Sequence, residues 1–137
     1  MIVLDTNVLS EPLKTRPAAK LMEWLDNQSA ETLFITAVSR AELRFGVLKL
    51  PDGKRKTALA AQIDRVLDLF KDRTLDFDAA AADKLAEIAA HCEKIGKRAA
   101  APDAYIAACA AARGFAVAAR NVGHFEHTGV RVINPWE

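Results

Sequence analysis

A three-layer α/β domain, with a short-stranded, mainly parallel central sheet flanked by helices, is the fold class this sequence predicts. Three observations carry the prediction. Apolar runs of four or five residues recur along the chain, segments with helical periodicity separate them, and 137 residues with 51% hydrophobic side chains suffice for one core. Strands covered on both faces read as unbroken apolar runs, because neither face meets water. Met1 to Leu4 is the first such run, and it stops at Asp5-Thr6-Asn7, a turn and helix start. Pro17 to Gln28 follows as a helix through Leu21, Trp24 and Leu25, with Pro17 tolerated in the first turn. Leu33 to Thr36 is the second strand, and Val38 to Leu50 the next helix. Pro51-Asp52-Gly53 breaks the chain before Lys54-Arg55-Lys56, a triplet expected in a solvated loop, with phosphate contact as the alternative. A helix from about Thr57 to Lys71 places Ile63, Val66, Leu67 and Phe70 on one face. Thr74 to Phe77 is strand-like, and Asp78 caps an alanine-rich helix ending near Gly96. Pro102 opens a helix that closes at Gly114, and Phe115 to Ala119 and Val130 to Ile133 are the last strands.

The whole of 1–137 reads as a single domain, without internal repeats or linkers. A charged fraction of 27% interspersed with apolar residues excludes disorder, and no apolar stretch approaches the ~20 residues a bilayer span requires. The start MIVLDTN has no basic segment and meets an acid at position 5, unlike a secretory leader, so a cytoplasmic location is expected. Cys92 and Cys109 lie within predicted helices and are expected to be reduced core residues. The 19 basic and 18 acidic side chains nearly cancel, so attraction for a polyanion must come from local arrangement.

In parallel sheets, ligands gather beyond the carboxyl ends of the strands, which makes Asp5 the first candidate site residue. Its ordinary reading is a helix N-cap before Val8. An aspartyl-phosphate enzyme would also place an acid here, but would want a second at position 7, where this chain has Asn7. Glu42 has a competing reading as well, because Ser39-Arg40-Ala41-Glu42 fits a capping box. A helix beginning nearer Ala37 instead puts Val38, Ala41 and Phe45 on an inward stripe with Glu42 at its edge, and Leu43, Val47 and Leu50 on a second covered face. Two covered faces call for another helix or a second subunit, and the latter would make a homodimer. Asp103, after Pro102, is either an acid favoured by the helix dipole or a carboxylate projecting into a cleft. His124 and His127, spaced i, i+3 without accompanying cysteine, are a poor zinc pattern.

Taken in order, the strand followed by Asp5-Thr6-Asn7, Ala41-Glu42-Leu43 after the second strand, Pro102-Asp103-Ala104-Tyr105-Ile106-Ala107-Ala108, and Arg120-Asn121-Val122-Gly123-His124-Phe125 resemble the PIN-domain family, and within it the VapC and FitB type of bacterial toxin. The resemblance spans nearly the whole chain, and it implies a PIN-like fold and a ribonuclease dependent on Mg²⁺ or Mn²⁺. Asp5, Glu42 and Asp103 match the family's three principal acids, implying metal ligation and catalysis, with Thr6 orienting them. Where the family often carries a further acid, this chain offers Asn121, which would assist catalysis through its amide, and His124. The implied partners are an RNA substrate, commonly transfer RNA, a small antitoxin that shields the cleft, and a second copy of the chain. The acids' proximity has a physical rationale. Two carboxylates about 4 Å apart repel by roughly 4 kcal/mol at an effective dielectric of 20, and a divalent cation reverses that sign. Hard oxygen ligands suit Mg²⁺ or Mn²⁺ rather than zinc. A PIN-like module that binds RNA without cutting it is the alternative the missing acid leaves open.

Overall fold

The computed structural model describes residues 1–98 and 101–137. Strands β1 (Ile2–Leu4), β2 (Leu33–Thr36), β3 (Thr74–Leu75), β4 (Ala116–Ala118) and β5 (Val132–Ile133) form one sheet in the order β3-β2-β1-β4-β5, with every pairing parallel. Among the described residues the α-helices are α1 (Thr6–Ser10), α2 (Ala19–Asp26), α3 (Ala37–Leu48), α4 (Lys54–Leu69), α5 (Ala79–Lys94) and α6 (Ala101–Arg113). The chain runs outward from β1 through β2 to β3, then returns to the other side of β1 for β4 and β5. The order therefore reverses between β1 and β4, and a crevice opens there at their carboxyl ends.

Successive strand residues serve opposite faces, and the core divides accordingly. Val3 and Val117 face a layer built from α5 and α6, with Ile88, Ile106, Ala107 and Phe125. Leu4, Ile35 and Ala118 face the layer of α1 to α4, with Val8, Leu21, Leu43, Ile63 and Leu67. Ala104, Ala107, Ala108 and Ala110 are all buried, and their small side chains let α6 lie close to both the sheet and α5. Both helices end as their glycines require. Gly96 and Gly114 each have φ of +70°, and the amides that follow bond back five residues, Lys97 to Cys92 and Phe115 to Ala110. Cys92 and Cys109 are buried free thiols, as expected, and burial pushes the Cys109 thiol up to about 11.

Three expectations need correction. The inward stripe of α3 is Ser39, Leu43 and Val47, whereas Ala41 is exposed and Phe45 is 65% exposed. The helix starts at Ala37, and its rotation puts Leu43 and Val47, the expected second covered face, into the core, with Ser39 wholly buried beside them. Lys54-Arg55-Lys56 forms the first turn of α4 rather than a loop. Cations there oppose the helix dipole, and Lys56 offsets this by bonding the Leu48 carbonyl and pairing with Asp52 at 3.1 Å, which ties α4 to the end of α3. Finally, β3 stops at Leu75, and Phe77 lies outside it, edge-on to Tyr105 with centroids 5.5 Å apart.

Candidate active site

Asp5 stands where β1 ends. Its amide continues the sheet ladder to the Ala118 carbonyl at 3.0 Å, while its Oδ1 accepts from the Val8 amide at 2.9 Å. The residue thus caps α1 and also lies at the crevice, so the two readings of Asp5 coexist. It is 3% exposed. Burial is the main reason its carboxyl is raised from 3.8 to about 6, and the negative charges of Asp103 and Glu42 push the same way against the favourable Val8 amide. A buried acid in the company of two others is electrostatically costly unless a cation or proton joins it.

Glu42 is decided by where α3 begins. Thr36, at the carboxyl end of β2, accepts the Ser39 amide at 3.1 Å and is the N-cap. With that amide occupied, Glu42 does not close a capping box on Ser39. Its Oε1 instead accepts from Thr6 Oγ1 at 2.6 Å, and the same hydroxyl lies 3.0 Å from Ser39 Oγ. Thr6, the neighbour of Asp5, thereby joins α1 to α3. Asp103 occupies the first turn of α6, with its side chain 22% exposed and Oδ2 2.8 Å from His124 Nδ1. His124 belongs to the 3₁₀ turn Val122–Phe125 after β4, whereas the ring of His127 approaches Glu126, so the two histidines make no joint site.

The carboxyl ends of β1 and β2 and the first turn of α6 therefore bring Asp5, Thr6, Glu42 and Asp103 to one region. Asn121 is not hydrogen-bonded to any of them. It lines a polar notch of about 510 Å³ with Asn7, Lys14, Arg120 and Trp136. Sequence reasoning missed this notch, and it missed Glu11, a buried acid whose oxygens take Lys14 Nζ at 2.9 Å and the Ala18 amide at 3.2 Å. The Lys14 hydrogen bond is the main reason the Glu11 carboxyl is lowered. Nothing in Ser10-Glu11-Pro12 signals burial, which arises from the fold-back of the chain towards α2.

A groove of about 720 Å³ runs from Thr6 and Glu42 between α3 and α4, past Gly46, Arg55, Leu59 and Ile63. A larger cavity, about 990 Å³, lies at the opposite, amino end of the strands around Met1, Ile88, Phe115 and Ala116, remote from the acids. Size is thus a poor guide here, and the perturbed carboxylate a better one.

The donor set suits a hard divalent ion: three carboxylates and a hydroxyl, with Asp5 destabilised by its neighbours' charge. The fit lies in that chemistry rather than in a finished cage. Among the described residues no three acidic, histidine or cysteine side chains stand in place to hold an ion, since Glu42 is turned to Thr6 and Asp103 to His124.

The chain is similar over its whole length to several named proteins. The VapC ribonuclease Y4jK of Sinorhizobium fredii is 44% identical over 138 residues, covering 100% of this chain and 99% of its own. Toxin FitB of Neisseria gonorrhoeae is 42% identical over 137 residues, covering 99% of each. A solved structure of FitAB bound to the IR36 DNA fragment superposes with a TM-score of 0.95 at 41% identity, covering 100% of this chain and 96% of that one. The PIN-domain family model matches residues 2–130. On sequence and fold alike, this chain belongs to the PIN-domain family.

Proposed function

We propose that the chain is a ribonuclease toxin that hydrolyses RNA phosphodiester bonds with Mg²⁺ or Mn²⁺ and is neutralised by a small antitoxin. The observation that carries this reading is the buried Asp5 carboxyl, raised to about 6 at the crevice with Glu42 and Asp103 beside it. Asp5 and Asp103 would be the main ligands, with Glu42 binding directly or through water. When bound, the ion would activate a water for in-line attack and stabilise charge on the phosphate. The remaining work falls to the chain. Thr6 holds Glu42 in one orientation, the Val8 amide fixes one Asp5 oxygen, and His124 restrains Asp103. Asn121 assists through its amide, which both donates and accepts hydrogen bonds.

The ribonuclease and toxin relatives support the activity, and a toxin that cuts RNA needs a neutralising partner in the cell that makes it. The groove beginning at Thr6 and Glu42 is where we place that partner's covering segment, since an occupant would close the site directly. Phe45 and Leu48, 65% and 69% exposed on the outer face of α3, support a homodimer. No described helix is long and apolar enough to cross a membrane, and we assign the protein to the cytoplasm, where its RNA substrate resides.

The test is cleavage of a labelled total-RNA pool with Mg²⁺, Mn²⁺ or chelator, comparing wild type with Asp103→Asn. Metal-dependent cleavage lost in the variant is expected. Cleavage that survives chelator or the substitution would overturn the mechanism, and RNA binding without turnover would favour the non-catalytic alternative.

A further inference from the structure

The notch past the carboxyl ends of β1 and β4 holds an arginine–indole pair the reaction does not use. Arg120, exposed just past β4, lies over the indole of Trp136 with its guanidinium carbon 5.4 Å from the ring centroid. The arrangement is held from behind. Asn134 donates to the Arg120 carbonyl at 3.3 Å and accepts the Trp136 amide at 3.0 Å, so one side chain ties both backbones. Among the described residues Arg120 forms no ion pair, although its charge acts on Glu11 from a distance, whereas the neighbouring cation Lys14 bonds Glu11 directly at 2.9 Å. Asn7, which follows β1 and lies two residues from Asp5, borders the same notch with Asn121, and both are exposed. The notch therefore sits at the reversal of strand order, where α/β folds place ligands.

We propose that the Arg120–Trp136 pair is a nucleotide subsite next to the scissile phosphate: a base of single-stranded RNA stacks on the outer face of the guanidinium, and the Asn7 amide bonds its polar edge. The proposal takes its substrate class from the ribonuclease reading. A guanidinium held over an indole offers a planar, charged group, and unpaired bases stack on such planes while exposing their hydrogen-bonding edges. Lysine cannot replace it, because an ammonium keeps the charge and lacks the plane.

The experiment is fluorescence anisotropy of short labelled single-stranded RNAs, with chelator present so that nothing is cut. Arg120→Ala and Arg120→Lys should both bind roughly tenfold more weakly, the size expected for losing one stacked base. With Mn²⁺, both should raise KM and leave kcat within about twofold. Asn7→Ala, which leaves the stack intact, should flatten the preference among RNAs differing in one base. Wild-type affinity in Arg120→Lys would overturn the stack and leave only phosphate attraction, and wild-type affinity in Arg120→Ala would remove the subsite altogether. Should Arg120→Ala fail to fold, the lysine and Asn7 variants still decide. RNA bound in an Arg120-dependent way but never cleaved would sink the ribonuclease reading and keep the subsite, and the converse result would do the reverse.

Discussion

The two sides of the candidate site are built differently. On one, Asp5 is 3% exposed and caps α1, while Thr6 carries a 2.6 Å hydrogen bond across to Glu42 on α3. On the other, Asp103 meets His124 through a contact whose histidine side chain is 53% exposed. The first side is part of the fold, since removing any member leaves a polar group stranded between packed elements. The second is attached to the fold but open to water, which weakens the contact and leaves Asp103 free to turn towards a ligand. Substitutions should therefore change folding and chemistry together on the first side, and chemistry alone on the second.

The largest effect moves both quantities, in opposite directions, at a single position. Asp5→Asn keeps an N-cap side chain of equal quality and removes the buried charge. Activity should fall more than about 100-fold, beyond the 10- to 100-fold typical of residues that merely support a metal ligand. Stability should rise. In the unfolded chain Asp5 ionises near 3.8 and in the folded chain near 6, so the folded state binds the extra proton between these values. Wild-type stability therefore falls as pH rises through that window, and above it the full penalty applies, about 3 kcal/mol in order of magnitude. Melting of both proteins in chelator, from pH 3.5 to 7.5, should show curves that coincide at the acid end and separate above pH ~4. A wild type as stable as the asparagine variant at pH 7.5 would mean the burial of Asp5 carries no such cost. Mn²⁺ should raise the wild-type melting temperature and leave Asp5→Asn unmoved.

Thr6→Val comes next. It keeps the shape of the side chain while depriving Glu42 and Ser39 of a shared partner, and Ser39 is wholly buried. A loss of roughly 1–3 kcal/mol is expected, measured by urea unfolding, together with weaker Mn²⁺ binding. Combining it with Glu42→Gln tests the coupling. If the two losses simply add, Thr6 does not act through Glu42.

How much of this was legible in the sequence follows the same division. The sheet and its crevice were readable, because each buried strand is an apolar run and Asp5 ends one of them. Asp103 was readable from Pro102, which marks a helix start. Glu42 was ambiguous because Thr36 and Ser39 are both competent caps, and only the end of β2 at Thr36 decides between them. The facing of α3 was half legible: Leu43 and Val47 are buried as expected, whereas the stripe through Phe45 does not face inward, because the core takes the Leu43 side of the helix. The first turn of α4 was hidden because its cations disfavour a helix start until the Asp52 pair and Leu48 carbonyl are supplied. Burial of Glu11 and the placing of Arg120 over Trp136 join segments distant in sequence, and no local pattern announces such contacts.

The smallest expected effect tests the open side. His124→Ala removes the 2.8 Å contact to Asp103, but the histidine is half exposed and solvent screens what it contributes. Stability should change by less than about 1 kcal/mol, in contrast to Thr6→Val. If the contact only restrains Asp103, His124→Asn, which retains a hydrogen-bond donor, should recover most of any activity lost in His124→Ala. Mn²⁺ affinity, read by calorimetry, should follow the same order. An alanine variant that melts as far below wild type as Thr6→Val would show that this side too is built into the fold. Asp103 would then have no freedom to turn, and with Asp103 fixed on His124 the three acids could not close around an ion from the positions they occupy.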